Sequence, residues 1–135
     1  MDKHMKGSVI IVEDDMLLSL VQGRIVNKLG YDVVAKAVDG ADAIQKVKAY
    51  NPDILLMDIS IKGSIDGIET VAEIRKFSDV PVIYLSGSSD KISVERARKT
   101  GFSDFLIKPV SIEDMSEPLA KAMSERESKR LSQAS

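Results

Sequence analysis

Apolar residues gather in five short unbroken runs: Val9–Val12, Val33–Ala35, Ile54–Met57, Pro81–Leu85 and Phe105–Ile107. Runs this short do not make helices, and without polar alternation they read as strands covered on both faces. Between them apolar residues return at three- and four-residue steps, the spacing of helices buried along one stripe. The first such helix carries Leu17, Leu18, Val21, Ile25 and Leu29 and stops at Gly30. The second, after the Asp39-Gly40 turn, carries Ala43, Ile44, Val47 and Tyr50. A third buries Ile68, Val71, Ala72 and Ile74 and ends near Phe77-Ser78, and a weakly patterned fourth spans about Lys91 to Lys99. The fifth carries Ile112, Met115, Leu119 and Met123. Strands and helices in strict alternation predict a doubly wound α/β domain, with a five-stranded parallel sheet, right-handed crossovers and helices on both faces.

That domain is expected over residues 8–124. Residues 1–7 are polar and without period, and are expected to be a disordered segment; their histidine, His4, reads as inert or as a cloning remnant. Residues 125–135 turn polar again, as an extension of the last helix into solvent or a tail.

Composition narrows the chemistry. The 135 residues include no cysteine, which excludes disulfides, thiolate zinc sites and thiol redox chemistry. A net charge of −2 offers no general affinity for nucleic acid or an anionic membrane. With 4% aromatic residues and no tryptophan, a base-stacking or carbohydrate-binding surface is not expected. No run reaches the length of a membrane span or a secretory signal, so a soluble cytoplasmic protein is expected.

The residues that end the strands change the picture. They are Glu13 and Asp14 after the first, Asp58 after the third, Ser86 after the fourth and Lys108 after the fifth. In a parallel sheet these ends share one edge, where open α/β folds place their chemistry. Crowded carboxylates repel unless they take up protons or a cation. The hard oxygen ligands suit Mg²⁺, with Mn²⁺ as an alternative, and Mg²⁺ favours phosphate oxygens at its remaining positions. Lys108 offers a point charge and Ser86 a hydroxyl for a phosphoryl oxygen, with Asp58 as the nucleophile that would carry the group. Taken singly, each has a plainer reading. Glu13-Asp14-Asp15 could be an acidic helix start, Asp58 a cap for the third helix, and Lys108 a surface charge.

As a set, Val12-Glu13-Asp14-Asp15, Leu56-Met57-Asp58, Asp66-Gly67, Pro81-Val-Ile-Tyr-Leu-Ser86 and Ile107-Lys108-Pro109 resemble the receiver domain of two-component response regulators, chemotaxis regulators among them. The resemblance spans Ser8 to about Met123 and implies a flavodoxin-like strand order 2-1-3-4-5. It also implies that Asp58 accepts a phosphoryl group from a phosphohistidine on a sensor histidine kinase or a histidine phosphotransfer protein. Asp14, Asp58 and the Ser60 backbone carbonyl would bind Mg²⁺, with Glu13 acting directly or through water. Ser86 and Phe105 would be the switch residues that re-form the surface of helix 4, strand 5 and helix 5. The implied partners are an effector domain or downstream protein and a phosphorylation-dependent homodimer, and catalysis is confined to the chain's own phosphorylation and dephosphorylation. Lys108-Pro109 would be a cis peptide.

The sequence departs from that family at 59–66, which is slightly longer and lacks Met-Pro after the acceptor, and it has small residues at Ser60 and Ser88. Asp104 matches an acid of one dimerising subfamily, without its arginine partner. Three rival readings fit less well. A flavodoxin-like cofactor binder needs a glycine- and hydroxyl-rich phosphate cradle where this chain has three acids. A phosphatase with an Asp-x-Asp nucleophile needs an acid at position 60, and a receiver-like scaffold that works without phosphorylation normally loses one key acid or the lysine.

Overall fold

All five apolar runs become parallel strands in the computed structural model, which describes residues 5–134. The element order is β1 Ser8–Val12, α1 Met16–Lys28, β2 Asp32–Ala37, α2 Gly40–Tyr50, β3 Ile54–Asp58, α3 Gly67–Ile74, β4 Val82–Ser86, α4 Lys91–Arg98, β5 Asp104–Ile107 and α5 Ile112–Ala134. Strand order is β2-β1-β3-β4-β5, as expected. Residues 1–4, and with them the reading of His4, lie outside the described residues. Within the segment expected to be disordered, Lys6 donates its N–H to the Gly30 carbonyl and Gly7 accepts from Asp32.

The central strands show why their sequences do not alternate. Successive side chains point to opposite faces, and each face is covered. Ile10, Leu55, Met57, Val82 and Tyr84 join one core layer with Val47, Val71 and Ile74. Val9, Ile11, Ile54, Leu56, Ile83 and Leu85 join the other with Val26, Met115 and Leu119. Each such aliphatic side chain contributes about 1.5–3 kcal/mol when fully buried, so these layers fix the register that aligns the strand ends. Met57 pairs with Val12 and Tyr84, and Asp58 with Leu85.

Helix α1 corrects the expected stripe. Leu17 and Val21 are 68% and 44% exposed, whereas Ser19, Gln22, Gly23 and Val26 are buried. Ahead of Val26 the inward face is polar and small because it serves the sheet edge: Gln22 reaches Glu13, and Gly23 lets the helix approach Ile11 and Lys36. Tyr50 and Ala72 are likewise exposed. In α3 it is Thr70, not Ala72, that is buried with Ile68, Val71 and Ile74, its hydroxyl satisfied by the Asp66 carbonyl at 2.7 Å.

The polar end of α5 does not simply project into water. Arg126 is buried and lies 3.7 Å from Asp53 and 3.5 Å from Asp79, while donating to Asn51 at 3.1 Å. Arg130 also pairs with Asp53. Asp53, buried at the entry to β3, supplies the reason, since a buried carboxylate needs counter-charge. Among the described residues, no helix is long and apolar enough to cross a membrane.

Gly67 ties α3 to the end of β3. Its N–H donates to the Ile59 carbonyl at 2.8 Å, and a Cβ there would overlap the Asp58 carbonyl and lie 2.9 Å from Ile59 Cα. Backbone cannot retreat as a side-chain tip can. Gly67→Ala is therefore expected to lower unfolding stability by about 1–3 kcal/mol, measured by urea denaturation; an unchanged midpoint would show that the two segments part freely.

Candidate functional site

Each group at the sheet edge is delivered by the end of a strand, and each of the three acids accepts a hydrogen bond from a backbone N–H. Glu13 follows β1 and is 2% exposed; Asp58 ends β3 and is also 2% exposed. Asp14 is half-buried beside them. One oxygen from each of these three carboxylates lies within 4.8 Å of the others. Lys108, one residue past β5, donates Nζ to Asp58 Oδ1 at 3.1 Å and to Glu13 Oε1 at 3.4 Å. These four groups, read from three strand ends, thus converge.

The surrounding contacts orient the acids. Glu13 accepts from Gln22 Nε2 at 3.0 Å and from the Asp15 N–H at 3.2 Å. Asp58 accepts from the Ser60 N–H at 3.2 Å, and Asp14 from the Lys62 N–H at 3.1 Å. Asp15 caps α1 by accepting from the Leu18 N–H at 3.0 Å, so the plainer reading of the acidic triplet holds for this one member. The cap of α3 is Asp66, in a reciprocal capping box with Glu69, which leaves Asp58 free of that duty.

Ser86 ends β4, one residue beyond the Leu85 that pairs with Asp58, and is 5% exposed. Its Oγ accepts from the Ser88 N–H at 3.2 Å. Phe105 is half-buried, with its ring centroid 6.3 Å from Tyr84 and 5.9 Å from Phe102. Tyr84 in turn bonds Thr100 at 2.7 Å, and burial pushes its hydroxyl pKa up to about 12. The Lys108-Pro109 peptide is cis.

Electrostatically the edge carries an excess of negative charge. Burial pushes Glu13 above the ordinary glutamate range; the Gln22 hydrogen bond opposes this and the Asp58 charge reinforces it. For Lys108, burial works against the ammonium, but the hydrogen bond and charge of Asp58, with Glu13 adding, outweigh it and the pKa is raised. One ammonium against three carboxylates leaves the cluster under-compensated, and an all-oxygen donor set of this kind fits a hard divalent cation.

Three members of this arrangement escape sequence reading. Gln22 sits on a helical face whose apolar neighbours suggested a different stripe, and the Lys62 N–H belongs to an irregular loop whose path no periodicity reveals. Arg96, 2.9 Å from Asp66, ties α4 to the start of α3 through a pairing with no local signature. The capping box at Asp66 and Glu69 is the one signal that the spacing alone could have disclosed.

Comparison with known proteins points to one family. The family model described as response regulator receiver domain matches residues 9–120. The chain is 33% identical to the transcriptional regulatory protein PdtaR of Mycobacterium tuberculosis over 91% of its own length and 60% of that protein's. It therefore spans less than two thirds of PdtaR. It is also 33% identical to the chemotaxis protein CheY of Thermotoga maritima, covering 84% of this chain and 94% of that one. Among solved structures, the signal receiver domain of a modulated diguanylate cyclase from Desulfovibrio desulfuricans G20 superposes with a TM-score of 0.84 at 29% identity, over 91% of this chain and 98% of that one.

Lys108→Met tests the charge balance. The raised Lys108 pKa keeps its stabilisation present below the unfolded lysine value and lost only as pH rises through the folded one, so it is fully present at neutral pH. The raised Glu13 pKa favours the fold below the unfolded glutamate value, a gain lost as pH rises through the folded one. The variant should lose about 2 kcal/mol at pH 7, below the full penalty for a buried pair because Lys108 is partly solvated. In urea denaturation the deficit should shrink towards pH 4, where carboxylates take up protons. A deficit equal at both pH values would place its origin outside the ion cluster.

Proposed function

The chain belongs to the response regulator receiver domain family, and from that premise we propose that it is a phosphoacceptor in a two-component phosphorelay, with Asp58 as the residue that carries the phosphoryl group. The observation that supports this best is the convergence of Lys108 and two further carboxylates on a buried Asp58. An Asp58 oxygen attacks the phosphorus of a phosphohistidine, the P–N bond breaks, and its electron pair leaves with the imidazole, which takes up a proton. Lys108 Nζ already lies 3.1 Å from Asp58 Oδ1 and can follow the charge onto a phosphoryl oxygen. The Ser60 N–H holds the same Asp58 oxygen, orienting the carboxylate.

Glu13, Asp14 and Asp58, with the Ser60 carbonyl, would hold Mg²⁺, or Mn²⁺ in its place. When bound, that ion supplies positive charge that relieves carboxylate repulsion and favours a phosphoryl group beside it. Ser86 accepts from the Ser88 N–H, a role that leaves its own O–H to be donated to a phosphoryl oxygen. Movement of Ser86 would open space for Phe105, and this pair would couple Asp58 to α4, β5 and α5. The shift is limited by how much better the phosphoryl group is held in the second conformation.

A protein rather than a small molecule fits as donor. Met16 and Leu17 are 80% and 68% exposed, and with Leu20 and Val38 they line a groove of about 570 Å³ that Glu13 also borders. Apolar surface beside a charged site suits a protein face, here a sensor histidine kinase or histidine phosphotransfer protein. The output would pass to an effector domain or a separate downstream protein, by a domain that modifies only its own carboxylate.

Incubation with Mg²⁺ and acetyl phosphate should add one phosphoryl mass to the intact chain, lost in Asp58→Asn and prevented by chelation of the metal. No gain by the wild type, while the donor persists, would favour an interaction module that works without phosphorylation. An equal gain in the variant would move the acceptor elsewhere.

A further inference from the structure

The 59–66 loop, where the sequence departs from its family, is built rather than slack. Ile59 and Ile61 are 6% and 7% exposed and pin its first half to the core. Its second half is pinned by Ile65, packed so closely on Gly40 that a Cβ there would lie 2.7 Å from Ile65 Cγ1, and by the Asp66 cap of α3. Between these anchors Lys62 forms a bridge with Asp39, in the β2–α2 turn, and its N–H donates to Asp14 Oδ2 at 3.1 Å.

That amide meets the acid that most needs it. Glu13 is held by Gln22 and the Asp15 N–H, and Asp58 by Lys108 and the Ser60 N–H. Asp14 is the most exposed of the three, with water within reach and two like charges that favour its turning away. A hydrogen bond from a fixed backbone donor opposes that rotation. Carboxylates that ligate metals are commonly oriented in this way by outer partners, whose loss costs about 10–100-fold in metal affinity.

We propose that the 59–66 loop is a positioning element for divalent-cation binding, in which the Lys62 N–H holds the Asp14 carboxylate in register with Glu13 and Asp58. The inference rests on the reading of these acids as the Mg²⁺ site, and it assigns the role to the Lys62 backbone and not to its charged side chain. Lys62 touches no cation under this assignment; it acts through Asp14.

The test is a Mg²⁺ titration of the full chain, followed by calorimetry and by amide NMR. Lys62→Pro, which deletes the N–H, should weaken Mg²⁺ binding about tenfold. Lys62→Ala, which keeps the N–H, should restore affinity to within about threefold of wild type, since an exposed charge is largely screened at physiological salt. Wild-type affinity in Lys62→Pro, or an equal loss in both variants, overturns the proposal. Should Lys62→Pro not fold, the Lys62 amide itself decides. Its proton should move upfield and exchange faster in Asp14→Ala than in wild type, and an unmoved amide overturns the proposal. Asp14→Ala also separates this inference from its premise. If that variant binds Mg²⁺ as wild type does, the metal-site reading fails; if its binding collapses while Lys62→Pro binds normally, only the loop's role fails.

Discussion

Repulsion between carboxylates at one edge of the sheet is the constraint around which this domain is arranged. Glu13, Asp14 and Asp58 sit close enough to share a ligand while a single ammonium, Lys108, faces them. Folding alone would disperse such charges, because each is worth more in water than beside another of its sign. They stay together because the strands that end in them are fully buried and cannot slide. The apolar layers of β1, β3 and β4 hold the acids in a cluster that their own electrostatics oppose.

The same tension makes the site sensitive to added charge. An under-compensated cluster is stabilised by any added cation. Around it the contacts are mostly single hydrogen bonds: Ser86 with the Ser88 N–H, Asp14 with the Lys62 N–H, Arg96 with Asp66. Each contributes on the order of 1 kcal/mol. Helix α4 has Ala97 as its buried residue and depends on such ties at its ends, in contrast to the deeply packed α5. The sheet beneath Asp58 is thus held by deep burial and α4 by few contacts.

Legibility in the sequence follows the same division. The central strands were readable because burial on both faces writes an uninterrupted apolar run, and parallel pairing then brings Glu13, Asp58, Ser86 and Lys108 to one edge. Helix α1 was not, since its inward face was chosen for Gln22 and Gly23, which serve the acid cluster and a close approach rather than hydrophobic burial. The path of residues 59–66 was hidden because loops are set by tertiary anchors such as Ile61 and Ile65. Arg126 looked like a solvated charge, as arginine in a polar stretch usually is; only the position of Asp53, far back in the chain, makes it a buried one.

That last pairing redraws where the folding unit stops. The family model ends at residue 120, but Asp53 stands at the mouth of β3, and Arg126 and Arg130 both lie beyond that limit. A version of the chain ending at residue 120 would keep the Ser8 N–H on this carboxylate and lose both guanidinium groups. The rearmost helical turns therefore act as a buckle on the sheet's far rim, and the family model marks a shorter object than the one that physics holds together.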